Sequence, residues 1–455
     1  MNDAMRSATT FAIGMLLLCA VAIPVHATTI TVTNTNDSGP GSLRQALADA
    51  NDGDTITFAV TGEIQLTSGE LVIDNSITIS GPGADSLTLL GDFQTRILHV
   101  TPGLTVTISG LTIRYGGAQF DVGGGIWNDH AIVTILNSTV SGNYASYAGG
   151  GIYNDAYKGG SATLTIMNSI VSNNSAGFSD VGTSAGEGGG IYNGAGTLMI
   201  SNSSVSGNEA GALDPPAGFG GGISNYGTLT IADSTIDDNH CYLAGGGISS
   251  SGTLTITSST VSGNYVDGQY EGQPVGHGGG ISAVLTFTNS TLSNNSANLS
   301  DGGIEGGGAI TNSTISGNGA AICGGVCGGF EIGNTVLNAN ALGNIDGTVT
   351  SLGYNISSDD GGGLLNGPGD QINTDPMLGP LQDNGGPTLT YALLPGSPAI
   401  DAGDPNFIPP PFYDQRGSPF VRVFNGRIDI GSFELQPPRG PRPTPRPRPT
   451  PAPRP

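Results

Sequence analysis

Asp237-Asp238 and His277 are the residues of this 455-residue chain whose types could do chemistry. Hydrolysis of a glycosidic bond runs on two carboxylates flanking the scissile oxygen, and an acidic pair with a histidine offers those groups. Their setting argues for a plainer role. Asp237-Asp238 falls inside a repeated segment where other copies read Ser-Gly or Ser-Asn, and His277 borders a Gly cluster of the same repeat. A decorated repeat explains both better than a catalytic dyad. Eliminative cleavage of an acidic polysaccharide is the other reaction to weigh. It needs a base for the α-proton and cations to receive the substrate, yet no Lys or Arg stands between Lys158 and Arg416. Only Arg44, Arg96, Arg114 and Lys158 precede that gap in the mature region. A groove without cations repels a polyanion.

The elements that must position these residues come from a repeat. The segment 137–143, Asn-Ser-Thr-Val-Ser-Gly-Asn, returns with small changes at 168–174, 202–208, 233–239, 258–264, 289–295, 312–318 and 334–340. A second piece, Gly-Gly-Gly-Ile, recurs at 123–126, 149–152, 188–191, 220–223, 245–248 and 278–281, and a third, Thr-Leu-x-Ile, at 163–166, 197–200, 228–231 and 253–256. Each unit holds two or three short apolar/polar alternations punctuated by Gly or Asn, which is strand periodicity. The closest repeats lie about 22 residues apart; longer ones add polar insertions such as 176–186, 210–218 and 267–277. A fixed unit with insertions at one point marks a solenoid with loops on one face.

These features predict an all-β chain: a right-handed, single-stranded parallel β-helix with a short N-terminal capping helix. Ile, Val and Leu stack inward from coil to coil, so Val140, Val171 and Val205 should line up. The Asn closing each segment, Asn143 through Asn340, should form an amide ladder at one turn, itself in the left-handed backbone that Asn tolerates. Open β ends pair with other chains and need caps. Residues 40–51 read as the lid: Ser42 with Gln45 fits a capping box, and Leu43, Ala46, Leu47 and Ala50 share one face.

Composition narrows the rest. Gly numbers 77 without a period of three, which excludes collagen. The net charge of −23 excludes a general nucleic-acid surface, because phosphates require Lys and Arg. Arg6, the apolar run 11–23 and Val25-His26-Ala27 read as an export signal cut after residue 27. That run is too short to span a bilayer, and no membrane-spanning segment is expected after its removal. The mature cysteines are Cys241, Cys323 and Cys327; the last two are near enough in sequence for a local disulfide.

The repeats resemble right-handed β-helix surface proteins with a pectin-lyase-like fold. Asp237-Asp238 and 276–278 also resemble pieces of polygalacturonases, but 373–375 follows them instead of preceding them, and the Arg-x-Lys piece is missing. The stretches 383–390, 394–403, 414–417 and 429–434 look like the choice-of-anchor Q domain, which ends bacterial surface or secreted β-helix proteins. That resemblance implies an exported or cell-surface location and hardly any activity. Asp401, Asp404, Asp414 and Asp429 cluster in this motif and make Ca²⁺ possible as a ligand, although turn formation and pairing with Arg416 are the simpler role; no other cofactor is expected. The expected organisation is a signal over 1–27, an N-terminal cap over 28–53, coils over 54–350, a choice-of-anchor Q-like cap over 351–435 and a Pro/Arg-rich disordered tail over 436–455. The expected function is a monomeric structural or binding protein, possible adhesin behaviour included, whose partner is carbohydrate or cell-envelope polymer; a polysaccharide-degrading enzyme is the alternative. Trp127, Tyr153 and Tyr192 are contact candidates or, equally, stacked packing residues. Outward Thr-x-Ser rows (Thr139/Ser141, Thr260/Ser262, Thr291/Ser293, Thr314/Ser316) raise ice or crystal binding as a third class, broken by Ile170, Ser204 and Asp237.

Overall fold

The computed structural model describes residues 27–177, 186–211 and 217–436. Nearly all of the expected signal and of the tail, and the tips of two insertions, lie outside the described residues. What remains winds into a parallel β-helix with three walls. The first wall is a 19-stranded sheet running from Thr29–Val32 to Ile345–Gly353. The second has 12 strands, from Gly62–Gln65 to Ile356–Ser357, so the coil makes about a dozen turns. The third is a narrow seven-stranded sheet of two-residue strands, from Gly117–Ala118 to Ser296–Ala297. In the earlier coils the first wall holds two short strands per turn, such as Ile152–Asp155 and Thr163–Met167. From Ile248–Thr257 onward they fuse into one long strand.

Vertical rows of like side chains fill the interior. Val140 pairs with Val171, Val171 with Val205, and Val205 with Ile236, and all four are fully buried. Each such side chain contributes about 1.5–3 kcal/mol over its exposed state. The amide ladder is also present. The Nδ2 of Asn143 donates to Asn174 Oδ1 at 2.9 Å, and the same 2.9 Å bond repeats through Asn208, Asn239, Asn264, Asn295, Asn318 and Asn340. The left-handed backbone is not where it was expected. It falls one residue before the ladder, at Gly142, Asn173, Gly207, Asp238 and Gly263, and at the residue opening each segment, such as Asn137 and Asn168. The ladder asparagines need ordinary backbone to aim their amides inward along the coil axis. A second amide ladder joins Asn128, Asn154, Asn193, Asn225 and Ser250 by bonds of 2.6–2.8 Å. The Gly-Gly-Gly corners exist because coils touch there: a Cβ on Gly150 would stand 2.2 Å from Ser175 O.

The lid is the helix α1 (Leu43–Asp49), capped by Ser42 accepting from Gln45 N and burying Leu43, Ala46 and Leu47. Only half of the expected capping box forms, because the Gln45 side chain turns to Asp49 Oδ1 at 2.8 Å. At the other end, Gln371 adds a bridge beyond Ile356, and Leu364 and Leu365 pack against the core. The rest of the C-terminal region does not plug the end. It folds back along the outside of the second wall. Thr260 Oγ1 donates to Leu389 O at 2.7 Å, and Thr291 Oγ1 to Gln415 Oε1 at 2.6 Å. Ser293 Oγ meets Tyr391 Oη at 2.6 Å, and Ser432 N donates to Thr314 Oγ1 at 3.1 Å. This arm buries Thr260, Thr291 and Thr314, so the Thr-x-Ser array is covered over half its length. Its strand pair, Leu378–Gln382 with Thr390–Leu393, is antiparallel because a chain that reverses direction can pair locally.

Candidate functional site

The residues that follow the ladder asparagines from Asn143 to Asn295 belong to the third wall, so they stack: Tyr144, Ser175, Glu209, His240, Tyr265 and Ser296. The insertions leave the coil just beyond this row and return through a row of single bridges, Ala148, Glu187, Phe219, Ala244, His277 and Ser300. The first wall begins next, with Trp127, Tyr153, Tyr192, Ser224, Ser249, Ser282 and Glu305 outward in one column. This loop-bearing strip carries four histidines, each paired with a carboxylate.

His240 is held from both sides: its Nε2 lies 2.6 Å from Asp267 Oδ1 and its Nδ1 3.3 Å from Glu209 Oε1. Its ring stacks on Tyr265 at 4.3 Å, and Tyr242 Oη donates to the same Glu209 oxygen at 3.0 Å. Burial pulls the imidazole pKa down, but the Glu209 and Asp267 bonds outweigh it and leave the pKa raised. His277 Nδ1 lies 2.6 Å from Glu305 Oε2, which also accepts from Ser282 Oγ at 3.0 Å. That bond to Glu305 raises the His277 pKa. His130 is raised by its contacts with Tyr157 O and Asp129. His99 sits 3.4 Å from Glu70. Both ring nitrogens of His130 and of His240 are engaged, so neither histidine aims one at an open reaction centre.

The structure does not gather Asp237, Asp238 and His277. Asp237 is outward on the second wall, in register with Ser206 and Ser262. Asp238 occupies the left-handed turn position that Gly207 and Gly263 fill in adjacent coils. His277 belongs to the bridge row on the far side of the third wall. Burial, helped by the Asp238 charge, pushes the Asp237 carboxyl up to about 6.

The aromatic candidates form a stack. Trp127 lies against His99 at 4.3 Å with the Arg96 guanidinium 4.7 Å from its ring. Tyr153 and Tyr192 are parallel within 4° at 4.9 Å, and Tyr192 Oη meets Tyr157 Oη at 2.7 Å. Tyr192 is only 7% exposed. Rings stacked along the coil turn their edges, not their faces, to solvent.

Three groups of described residues bring ligand atoms close enough to share an ion: Asp129/His130/Asp155, His277/Asp301/Glu305 and Asp401/Asp429/Glu434. Asp301 also approaches Cys323 and Cys327, but those sulfurs are joined in a disulfide. Of the four acids expected together, only Asp401 and Asp429 meet, with Glu434 as third member. Asp404 instead caps a turn, accepting from Asn406 N at 2.8 Å, and Asp414 clamps the Arg416 guanidinium. Burial, then the Asp429 charge, pushes Glu434 up to about 8, while Arg422 opposes this.

Sequence reasoning missed Glu209, His240, Asp267 and Glu305. The signal was available for two of them: Asn208-Glu209 and Asn239-His240 share one repeat position and therefore stack. Gln415 and Arg422, which tie the arm to the second wall, carry no such periodic signal.

No family model matches the chain, and no curated protein matches it in sequence. The choice-of-anchor Q resemblance therefore has no family model behind it. Among solved structures, pectate lyase Pel9A aligns at 13% identity and a TM-score of 0.49, over 90% of this chain and 96% of that one. A mannuronic acid specific polysaccharide family 6 lyase from human gut microbiota aligns at 11% identity and a TM-score of 0.26, over 71% and 91%. Neither likeness transfers a residue or an activity; the fold stands on the chain's own parallel rungs.

Proposed function

We propose that the protein is an exported, cell-surface or secreted structural and binding β-helix, adhesin-like, which meets carbohydrate or cell-envelope polymer along its loop-bearing strip as a monomer. One observation supports this reading above the others: each histidine of the strip, His99, His130, His240 and His277, stands against a carboxylate. Residues 159–415 supply no Lys or Arg as a base. Insertions from successive coils emerge beside the strip, a good arrangement for a long ligand. A glycan array probed with the mature protein, beside size-exclusion chromatography, tests it. Retention of one or more glycans and a monomeric elution are expected; an array without a hit overturns the reading.

The enzyme reading has one supporting observation, the raised pKa of Asp237 beside Asp238, since a carboxyl poised near neutrality suits a general acid. A polysaccharide panel decides it. Turnover in the parent that disappears in Asp238→Ala would replace the binding reading with a hydrolase. The Asp401/Asp429/Glu434 group offers the hard oxygens Ca²⁺ takes, with Arg422 already close as a counter-charge. A melting temperature lowered by EDTA and restored by Ca²⁺ would assign the ion there if Asp429→Asn abolished the shift.

A further inference from the structure

We propose that a cleft near the N-terminal end of the coil binds a sugar ring carrying a carboxylate, with Arg114 as the partner of the anion. The case begins with the backbone. Most coils place Gly or Asn in the left-handed position before the ladder, but one coil puts Tyr115 there, at φ 61°. Phe93, whose N–H donates to Tyr115 O at 2.9 Å, is also left-handed, at φ 63°. Bulky side chains rarely adopt that conformation, and strain of this kind collects at binding and catalytic sites. Here it aims two rings outward, 5.0 Å apart. The next coil makes room for them: a Cβ on Gly142 would stand 2.8 Å from Tyr115 Cε1.

Arg114 completes the cleft. It is exposed on the second wall, above Ser141 and Ser172, whose short side chains leave space around it. Its Cζ lies 4.2 Å from the Tyr115 ring centroid. Arg44, Arg96 and Arg416 each pair with a carboxylate, whereas Arg114 forms no ion pair among the described residues. The cleft measures about 650 Å³, and Tyr144 and Asn173 line its far side. That size falls within the roughly 300–1,000 Å³ of ligand pockets. No carboxylate lines it, although the chain holds 36 acids.

This combination selects its ligand. A guanidinium receives a carboxylate through two parallel N–H bonds. Aromatic faces take the apolar side of a pyranose, and the serine and asparagine groups can meet its hydroxyls. Charges beyond about 8 Å are largely screened at physiological salt, so the acids of distant coils weigh little on an anion here.

The inference deepens the binding reading and rests on it. Isothermal titration of the mature protein with glucuronate, glucose and acetate separates the two. Glucuronate should bind at least about tenfold more tightly than either glucose or acetate, since a charge-assisted bond is worth about 1.5–3 kcal/mol. Arg114→Gln should erase the preference for glucuronate over glucose, Arg114→Lys should restore part of it, and Phe93→Ala should weaken both sugars alike. Equal affinities for glucuronate and glucose, acetate competing as well as glucuronate, or undiminished binding in a folded Arg114→Gln variant would overturn this inference. Hits on the glycan array would then leave the broader reading standing. Absence of any saccharide binding would remove both.

Discussion

His240 and His277 are the only residues that can carry positive charge on the coil between Lys158 and Arg416. Both have raised pKa values in the fold, so their bonds to Asp267 and Glu305 stabilise the protonated form. That contribution is complete below the unfolded value of about 6.5 and is lost as pH rises through the folded values. The melting temperature should therefore fall as pH rises above about 6.5, and His240→Gln should flatten the slope in a thermal-shift series. Asp237 acts in the same sense. Its raised carboxyl favours the folded state when protonated and opposes it when charged, so Asp237→Asn should raise the melting temperature at pH 8 and change little at pH 4. Cys241 offers a third residue-level test. It is buried, and its thiol is pushed up to about 12 by burial. Thiolate is the nucleophile, so iodoacetamide should leave Cys241 unmodified in the native protein and alkylate it in guanidinium, read by peptide mass spectrometry.

At the scale of elements, the ladders and the arm decide how coils hold together. Each ladder Asn donates up and accepts from below inside a buried turn. Asn208, for example, gives Nδ2 to Asn239 Oδ1 and to Val171 O and accepts from Asn174. Truncating it leaves buried partners unsatisfied at about 1–3 kcal/mol each. Asn208→Ala should thus cost about 2–5 kcal/mol, and Asn208→Asp more, since a carboxylate cannot donate to Asn239. Denaturant unfolding followed by circular dichroism checks the order. The arm makes a different prediction. Thr260 and Thr291 are buried where they bond Leu389 and Gln415 of the arm. Gln415 also donates to Thr260 Oγ1 at 2.8 Å and Thr388 Oγ1 at 3.0 Å. Gln415→Ala should free the arm locally, and hydrogen exchange should quicken in 386–393 and 412–416 while the distant rungs near Val171 stay protected.

At the scale of the whole molecule, charge and winding work against each other. Residues 28–435 hold 35 acids against 7 bases, a self-repulsion that grows with pH. Parallel rungs resist it by burying a continuous hydrocarbon column that each coil shares with its neighbours. Such stacks unfold partly from their ends, because each repeat leans on the adjacent ones. Removal of the lid by deleting residues 28–53 should therefore expose the first rungs and produce self-association, visible in light scattering, since bare β edges pair with one another.

By itself the amino-acid sequence determined the coil, its inward rows and the Asn143–Asn340 ladder. A repeat writes vertical neighbours into equal positions, so Val140, Val171 and Val205 could be aligned without coordinates. It also located the lid, because amphipathic spacing is local. Three matters waited for the tertiary structure. Tyr115 and Phe93 look like ordinary residues until the backbone shows them left-handed beside Arg114, which forms no ion pair among the described residues. The pairing of His240 with Asp267, and of His277 with Glu305, joins residues 27 and 28 positions apart through loops of irregular length, which no period encodes. The arm's seat on the second wall depends on contacts as distant as Gln415 with Ser259. Periodic stacking propagates one local rule, whereas these contacts each arise once, from the path of an aperiodic chain through space.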